Sequence, residues 1–214
     1  MDQRTIRVKG RGRVSVPPDR TQLRLALRVL RPEYEDAIGA AGQQLEEIRS
    51  ALEPEGFLRA DIRTESFDVR AEYERREDLH RKTRTVFAGW AVHNSLRLEF
   101  DMDSKRLGRV LRALAACPVD PEISVSFTVK DESAVKDELL RRAVDDAKGK
   151  AAILASSAGV SLGDIVTIDY SWGEVEFRTS HYALQASPVA DAMVDIEPEE
   201  LAVADTVTLV WAIG

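Results

Sequence analysis

Two long segments in which apolar and polar residues alternate, 60–76 and 84–100, constrain the fold more than any other feature of the sequence. Strict alternation is typical of a β-strand with one buried face. Between the two segments lies a highly charged stretch, RREDLHRK at 75–82. The pattern therefore predicts a long β-hairpin over residues 61–100 with an exposed tip.

The predicted hairpin is unusually long. Each strand has roughly 13 to 15 residues, whereas strands in globular proteins usually have about 5–6. Such a hairpin projects from its domain, pairs with another subunit or spans its own sheet, and all three alternatives stay open. Its apolar face carries more aromatic surface than a solvated arm needs. We therefore expect it to contribute an oligomer interface, with the candidate residues Phe67, Val69, Tyr73, Phe87 and Trp90.

The segments on either side of the hairpin show further helix and strand patterns, which together with the hairpin give a recognised order of secondary-structure elements. Residues 21–30 alternate like a half-buried strand, and Pro32 opens a helical stripe that ends at Pro54 and Gly56. A second helical pattern covers 104–115, and a strand pattern follows in EISVSFTVK. From about 20 to 130 the order is strand, helix, strand, strand, helix, strand. This order predicts an α+β fold with a ferredoxin-like βαββαβ centre, in which an antiparallel sheet has its helices on one face.

The two ends of the chain add to this centre. We predict an N-terminal strand, a long helix over about 131–159 and a C-terminal strand pair, so that residues 1–214 form one domain. Small residues dominate the apolar stripe of the long helix, which favours close packing on a sheet. The residues expected in that stripe are Leu139, Ala143, Ala147, Ala151, Leu154 and Ala158. Residues 173–203 are acidic and show no clear period.

The glycine-rich opening, VKGRGRVSVPPDR, does not match a phosphate-binding loop. A dinucleotide loop needs a third glycine and a following helix. Here the third position is Ser15, and a strand follows. We expect Gly10 and Gly12 to let a strand bend or bulge where a side chain would clash. The prolines at 17 and 18 then end the strand, and Asp19 accepts hydrogen bonds from the turn's own amides.

Charge is distributed unevenly along the chain, which carries a net charge of -7. Residues 1–31 hold nine Lys and Arg against two Asp, whereas residues 170–214 hold eight acidic residues against Arg178. The two ends could lie side by side, within one chain or between subunits. The arginine-rich N-terminus also leaves a nucleic-acid binder as an alternative. No aromatic residues interleave with these arginines to stack bases, so nucleic acid is not the expected partner.

The titratable residues form no recognisable catalytic motif. None of the three histidines, His80, His93 and His181, has the spacing of a metal-binding motif. Cys117 has no neighbouring base or cation in the sequence to stabilise a thiolate, so we expect a small buried residue. One alternative remains, a metal-dependent enzyme or metal-binding protein that uses His181 with the acidic segment 173–200. We otherwise expect no enzymatic activity and no cofactor.

Three stretches of the sequence resemble a known family. The opening IRVKGRGRVSVPPDRTQLRLAL, the later LRRAVDDAKGKAAILASSAGVSLGDIVTI and the closing TVTLVWAI resemble the SIMPL-domain family. This family includes bacterial periplasmic and outer-membrane immunogenic proteins. The resemblance implies an α+β domain that assembles into rings or larger oligomers and has an interaction or stress-protective role. It implies no established catalytic activity.

The expected function and location follow from these points. We expect a self-assembling protein whose copies pair through long strands, and which also meets a protein or envelope partner. No apolar run approaches the roughly 20 residues of a membrane-spanning helix. The first ten residues contain no apolar segment of signal-peptide type, so the sequence predicts a cytoplasmic location. A periplasmic or envelope location is the alternative, if an export signal has been removed.

Overall fold

A computed structural model describes residues 4–77, 83–170, 182–184 and 198–214. These residues form eight strands and three α-helices, in the order β1 (Thr5–Val16), β2 (Arg20–Arg31), α1 (Tyr34–Leu52), β3 (Ile62–Glu77), β4 (Thr83–Asp101), α2 (Ser104–Ala115), β5 (Glu122–Thr128), α3 (Glu132–Ser157), β6 (Leu162–Asp169), β7 (Tyr182–Leu184) and β8 (Leu201–Ile213). The predicted α+β class is confirmed.

The chain divides into two compact units. Unit 1 contains Met1–Asp19, Thr128–Thr179 and Pro198–Gly214, and unit 2 contains Arg20–Phe127 and Ser180–Glu197. The expectation that residues 1–214 form one domain stays a prediction.

Unit 2 contains the predicted ferredoxin-like centre. Its five-stranded sheet has the order β3–β4–β2–β5–β7. The first four strands of that order match the antiparallel arrangement expected for a βαββαβ unit. Alternate residues of β2 are buried from Leu23 to Val29, and they pack with buried residues of α1 and α2. Asp103 caps α2 by accepting hydrogen bonds from the amides of Lys105 and Arg106.

Unit 1 consists of a three-stranded sheet, β1–β8–β6, with α3 packed on one face. The two glycines of β1 allow that packing. A Cβ added to Gly10 would lie 2.0 Å from the carbonyl oxygen of Ala143, and one added to Gly12 would lie 2.0 Å from that of Leu139. The predicted clash is therefore confirmed. A bulge does not form there, because β1 pairs with β8 without a register shift from Thr5 to Val16, and the predicted bend stays a prediction.

Three further expectations need correction. The buried stripe of α3 continues from Ala151 to Ala155 at a spacing of four residues, whereas Leu154 is half exposed and Ala158 lies beyond the helix. Asp19 accepts a hydrogen bond from the amide of Lys130 at 2.8 Å and not from its own turn. The segment predicted as irregular contains β7 and the start of β8, because both find partner strands, β5 and β1.

Candidate interaction surface

The outer ends of β3 and β4 extend past the neighbouring strand. Strand β2 pairs with β4 only as far as Arg31, which lies opposite Trp90. The pairing of β3 with β4 continues outward to Glu77 and Thr83. Within the described chain, residues 83–89 of β4 therefore pair with β3 alone. We call this two-stranded ribbon, residues 72–77 and 83–89, the arm. The long hairpin is confirmed, and the centre of its predicted tip, 78–82, lies outside the described residues.

Gly89 shapes the base of the arm. The register shifts by one residue between the Glu72–Gly89 pair and the Tyr73–Phe87 pair, so Ala88 is the extra residue of a β-bulge. Gly89 has a φ of 147°, and a Cβ there would lie 2.5 Å from the carbonyl oxygen of Arg31. Only glycine adopts this conformation without strain. A bulge bends the strand and increases its local twist, so this position sets the direction of the arm.

Four aromatic side chains form a continuous row from α1 to the arm. The ring of Tyr34 lies 5.3 Å from that of Trp90, Trp90 lies 6.0 Å from Phe87, and Phe87 lies 5.7 Å from Tyr73, all in edge-to-face geometry. Each such pair contributes about 0.5–1.5 kcal/mol beyond simple burial. We call these four residues the aromatic row. Tyr34 was not among the interface residues predicted from the sequence. Its position at the start of α1, a helix expected to pack on the sheet, was the available signal.

The five candidate interface residues differ in exposure. All lie on the face of the sheet that α1 packs against, as the register of β3 with β4 requires. Val69 and Trp90 are half-buried against α1 and belong partly to the core of unit 2. Tyr73, Phe67 and Phe87 are 63%, 50% and 48% exposed. The surface available to a partner therefore centres on these last three side chains.

The opposite face of the same sheet is charged and internally paired. Glu65 accepts from the Nε of Arg24 at 2.7 Å, and Glu72 accepts from Arg28. His93 is exposed on this face, with its Nε2 3.7 Å from a carboxylate oxygen of Glu72. Exposed pairs of this kind contribute little stability. The two faces of the hairpin thus differ sharply, one aromatic and one ionic.

No described residue covers the outer edge of β3, which is a terminal strand of its sheet and has 16 residues. No hydrogen bond in the described residues joins a side chain to the backbone of this strand. Its charged residues and the β-bulge at Glu65 are features that limit pairing with unrelated chains. The edge lies beside the exposed aromatic side chains.

The edge of β1 is, in contrast, covered by α3. The Nη1 of Arg142 donates to the carbonyl oxygen of Arg13 at 2.9 Å, and the amide of Arg11 donates to Asp146 at 2.7 Å. Lys150 donates to Asp146 at 2.6 Å. This bond and the one from Arg11 hold the pKa of Asp146 below its ordinary value. We call Arg142, Asp146 and Lys150 the edge cap of β1. The sequence analysis did not predict it, although these three charged residues recur every four positions beside the alanine stripe of α3.

The remaining sequence candidates form no site that the structure can describe. His80, His181 and most of the acidic segment 173–200 lie outside the described residues. Among the residues that are described, no three His, Cys, Asp or Glu side chains come together as metal ligands. Cys117 is half-buried at the end of α2, next to an open groove between α1 and α2. No described helix is long and apolar enough to span a membrane.

The fold places the chain in the α+β class, with a ferredoxin-like unit and a long β-hairpin. The family model for SIMPL, described as "protein of unknown function (DUF541)", matches residues 6–211. The chain therefore belongs to the SIMPL family, as its opening, long helix and closing strand predicted.

Two relatives come from Brucella. The chain is 26% identical over 163 residues to the 26 kDa periplasmic immunogenic protein of Brucella abortus (strain S19). It has the same identity, over the same length, to the protein of that name from Brucella melitensis biotype 1. The matched region covers 76% of this chain and 65% of each relative.

Proposed function

We propose that this protein is a non-enzymatic, self-assembling component of the bacterial envelope, whose copies join through the open edge of β3. One observation carries the proposal: an edge strand of 16 residues, which no described residue covers, lies beside exposed aromatic side chains on the arm. Main-chain hydrogen bonds along such an edge supply affinity, and side chains at alternate positions supply register.

The contrast between β3 and β1, two of the four terminal strands of the sheets, supports the choice of β3 over β1. Backbone groups of β1 are already bonded to Arg142 and Asp146, so pairing there would first have to break those bonds. No described side chain competes for the backbone of β3. Tyr73 and Phe87 lie directly opposite each other across the arm, so one pair of rings would meet a partner together.

The relatives support a location in the periplasm. Both are named as periplasmic proteins, and nothing in the comparisons supports the cytoplasmic location expected from the sequence. We therefore propose the periplasm, with a stress-protective role through contacts with itself and with other envelope proteins. Fractionation of the native cells, with antibody detection, tests this. Recovery in the cytoplasmic fraction would remove the proposed location.

Paired substitutions test the interface. We expect the double variant Phe67→Thr and Tyr73→Thr to shift the protein from oligomer towards monomer in sedimentation velocity, because it removes two half-exposed rings next to the edge. Threonine keeps a good strand propensity, so β3 itself is retained. Leu58→Thr is the matched control, since Leu58 is 71% exposed but lies outside β3. A monomeric wild-type protein, or a double variant that assembles like wild type, would contradict the proposal.

A further inference from the structure

A row of four cationic side chains lies on the outer face of unit 1. Alternate residues of a strand point to the same side of a sheet. Here the side opposite α3 receives Arg7, Lys9, Arg11 and Arg13, all of them exposed. At about 3.4 Å per residue, the row extends over roughly 20 Å in a straight line. We call it the cationic row.

The neighbouring strand provides no charge to balance this row. On the same face, β8 presents only small or neutral residues, which are Ala202, Ala204, Thr206, Thr208 and Val210. Arg7 pairs with Asp169 of β6 at 3.2 Å. No ion pair joins the side chains of Lys9, Arg11 or Arg13 to a carboxylate in the part of the chain that the structure describes. The positive charge of Arg13 acts on Asp146 of α3 and helps to lower the pKa of that carboxyl. Lys9 and Arg11 are therefore the members of the row whose side chains have no carboxylate partner among the described residues, as expected of a surface that meets an anion.

A shallow depression of about 450 Å³ lies beside the middle of the row. Lys9, Arg11 and Lys150 contribute to its lining, together with Ala204, Asp205 and Thr206. Asp205 accepts from the hydroxyl of Tyr170 at 2.8 Å and from the amide of Thr206 at 2.7 Å, and it keeps its negative charge. Lys150 is already paired with Asp146 at 2.6 Å, so Lys9, Arg11 and the hydroxyl of Thr206 are the groups in this lining that suit a phosphate.

We propose that the cationic row docks this protein onto the phosphate groups of an anionic phospholipid membrane. A straight row on one face of a three-stranded sheet matches a planar array of negative charges. Nucleic acid fits less well, because none of the described residues on this face is an aromatic that could stack on a base. The inference shares the proposed envelope location but does not depend on self-assembly, since the row and the arm belong to different units.

Vesicle flotation tests the docking. The probe is a vesicle of phosphatidylglycerol and phosphatidylcholine in equal parts, compared with phosphatidylcholine alone. We expect binding to the anionic vesicles only. The triple variant Lys9→Gln, Arg11→Gln and Arg13→Gln should bind about 100-fold more weakly, since each basic residue near an anionic surface contributes about fivefold. Raising the salt from about 0.1 M to 1 M should release the wild-type protein, because the Debye length shortens from about 10 Å to about 3 Å.

A second triple variant provides the control. Lys136→Gln, Arg141→Gln and Lys148→Gln removes the same charge from α3, on the other side of the sheet, and should bind like wild type. If both triple variants bind equally, or the wild-type protein does not distinguish the two vesicles, the inference is wrong. A mixed-sequence single-stranded oligonucleotide is the third arm. If it binds the row more tightly than the anionic vesicles do, nucleic acid and not lipid is the partner. Circular dichroism of each variant confirms that it is folded.

Discussion

Replacing Gly10 with alanine tests the close packing of α3 on β1. The added Cβ would lie 2.0 Å from the carbonyl oxygen of Ala143 and 2.7 Å from the Cβ of Ala147. An ordinary contact begins at 3.4 Å, so the helix would have to retreat by about 1.4 Å. That movement would also stretch the 2.7 Å bond from the Arg11 amide to Asp146.

The expected loss is large for a single methyl group. Overpacking a close-packed region costs about 1–3 kcal/mol, and more where backbone atoms are the obstacle. We therefore expect Gly10→Ala to lower the free energy of unfolding by about 3 kcal/mol. Gly149→Ala, in the same helix, is the matched control. Nothing lies within 4 Å of a Cβ at Gly149, so alanine should stabilise α3 by about 0.8–1 kcal/mol.

Urea unfolding followed by circular dichroism gives the two free energies. Hydrogen–deuterium exchange of peptides from β1 and β8 then shows whether the loss lies in unit 1. Opposite signs for the two alanine substitutions are the expected result. An unchanged midpoint for Gly10→Ala would refute the claim that α3 touches the strand backbone.

Two further predictions concern the edge cap and the base of the arm. Asp146→Asn should speed hydrogen exchange of the Arg11 amide and weaken unit 1, as measured by urea unfolding. Because the pKa of Asp146 lies below its ordinary value of 3.8 when folded, its contribution is present above that pH and is lost as the pH falls further, a dependence that the asparagine variant should lack. Gly89→Ala should destabilise unit 2 by about 1–3 kcal/mol, since alanine would be strained at a φ of 147° and would press on the carbonyl of Arg31. A wild-type unfolding midpoint for Gly89→Ala would contradict the account of the bulge.

Patterns that depend on neighbours in the sequence predicted the structure well. The alternation at 60–76 and 84–100 placed β3 and β4, and the helical stripe after Pro32 placed α1. The helical pattern at 104–115 placed α2. Each of these signals comes from residues two to four positions apart, so it does not depend on contacts with distant parts of the chain.

Contacts between distant segments were not predictable in the same way. The Gly10 clash was expected, but its partner in α3 was unknown, so a bulge was considered where the register of β1 is continuous. The lysine amide that bonds Asp19 is more than a hundred residues away. Val69 and Trp90 looked like exposed arm residues because the sequence does not show that α1 covers them. Local patterns do not reveal which surface a third element will cover.

The mass of the protein in solution tests the central claim most directly. Light scattering is applied to the intact chain and to a chain in which residues 74–86 are replaced by a short turn. We predict that the intact chain is an oligomer and that the shortened chain, which keeps Tyr73 and Phe87 but lacks most of the arm's backbone edge, has a markedly lower mass. If both chains are monomers, or if both form oligomers with the same number of subunits, assembly through the arm is contradicted.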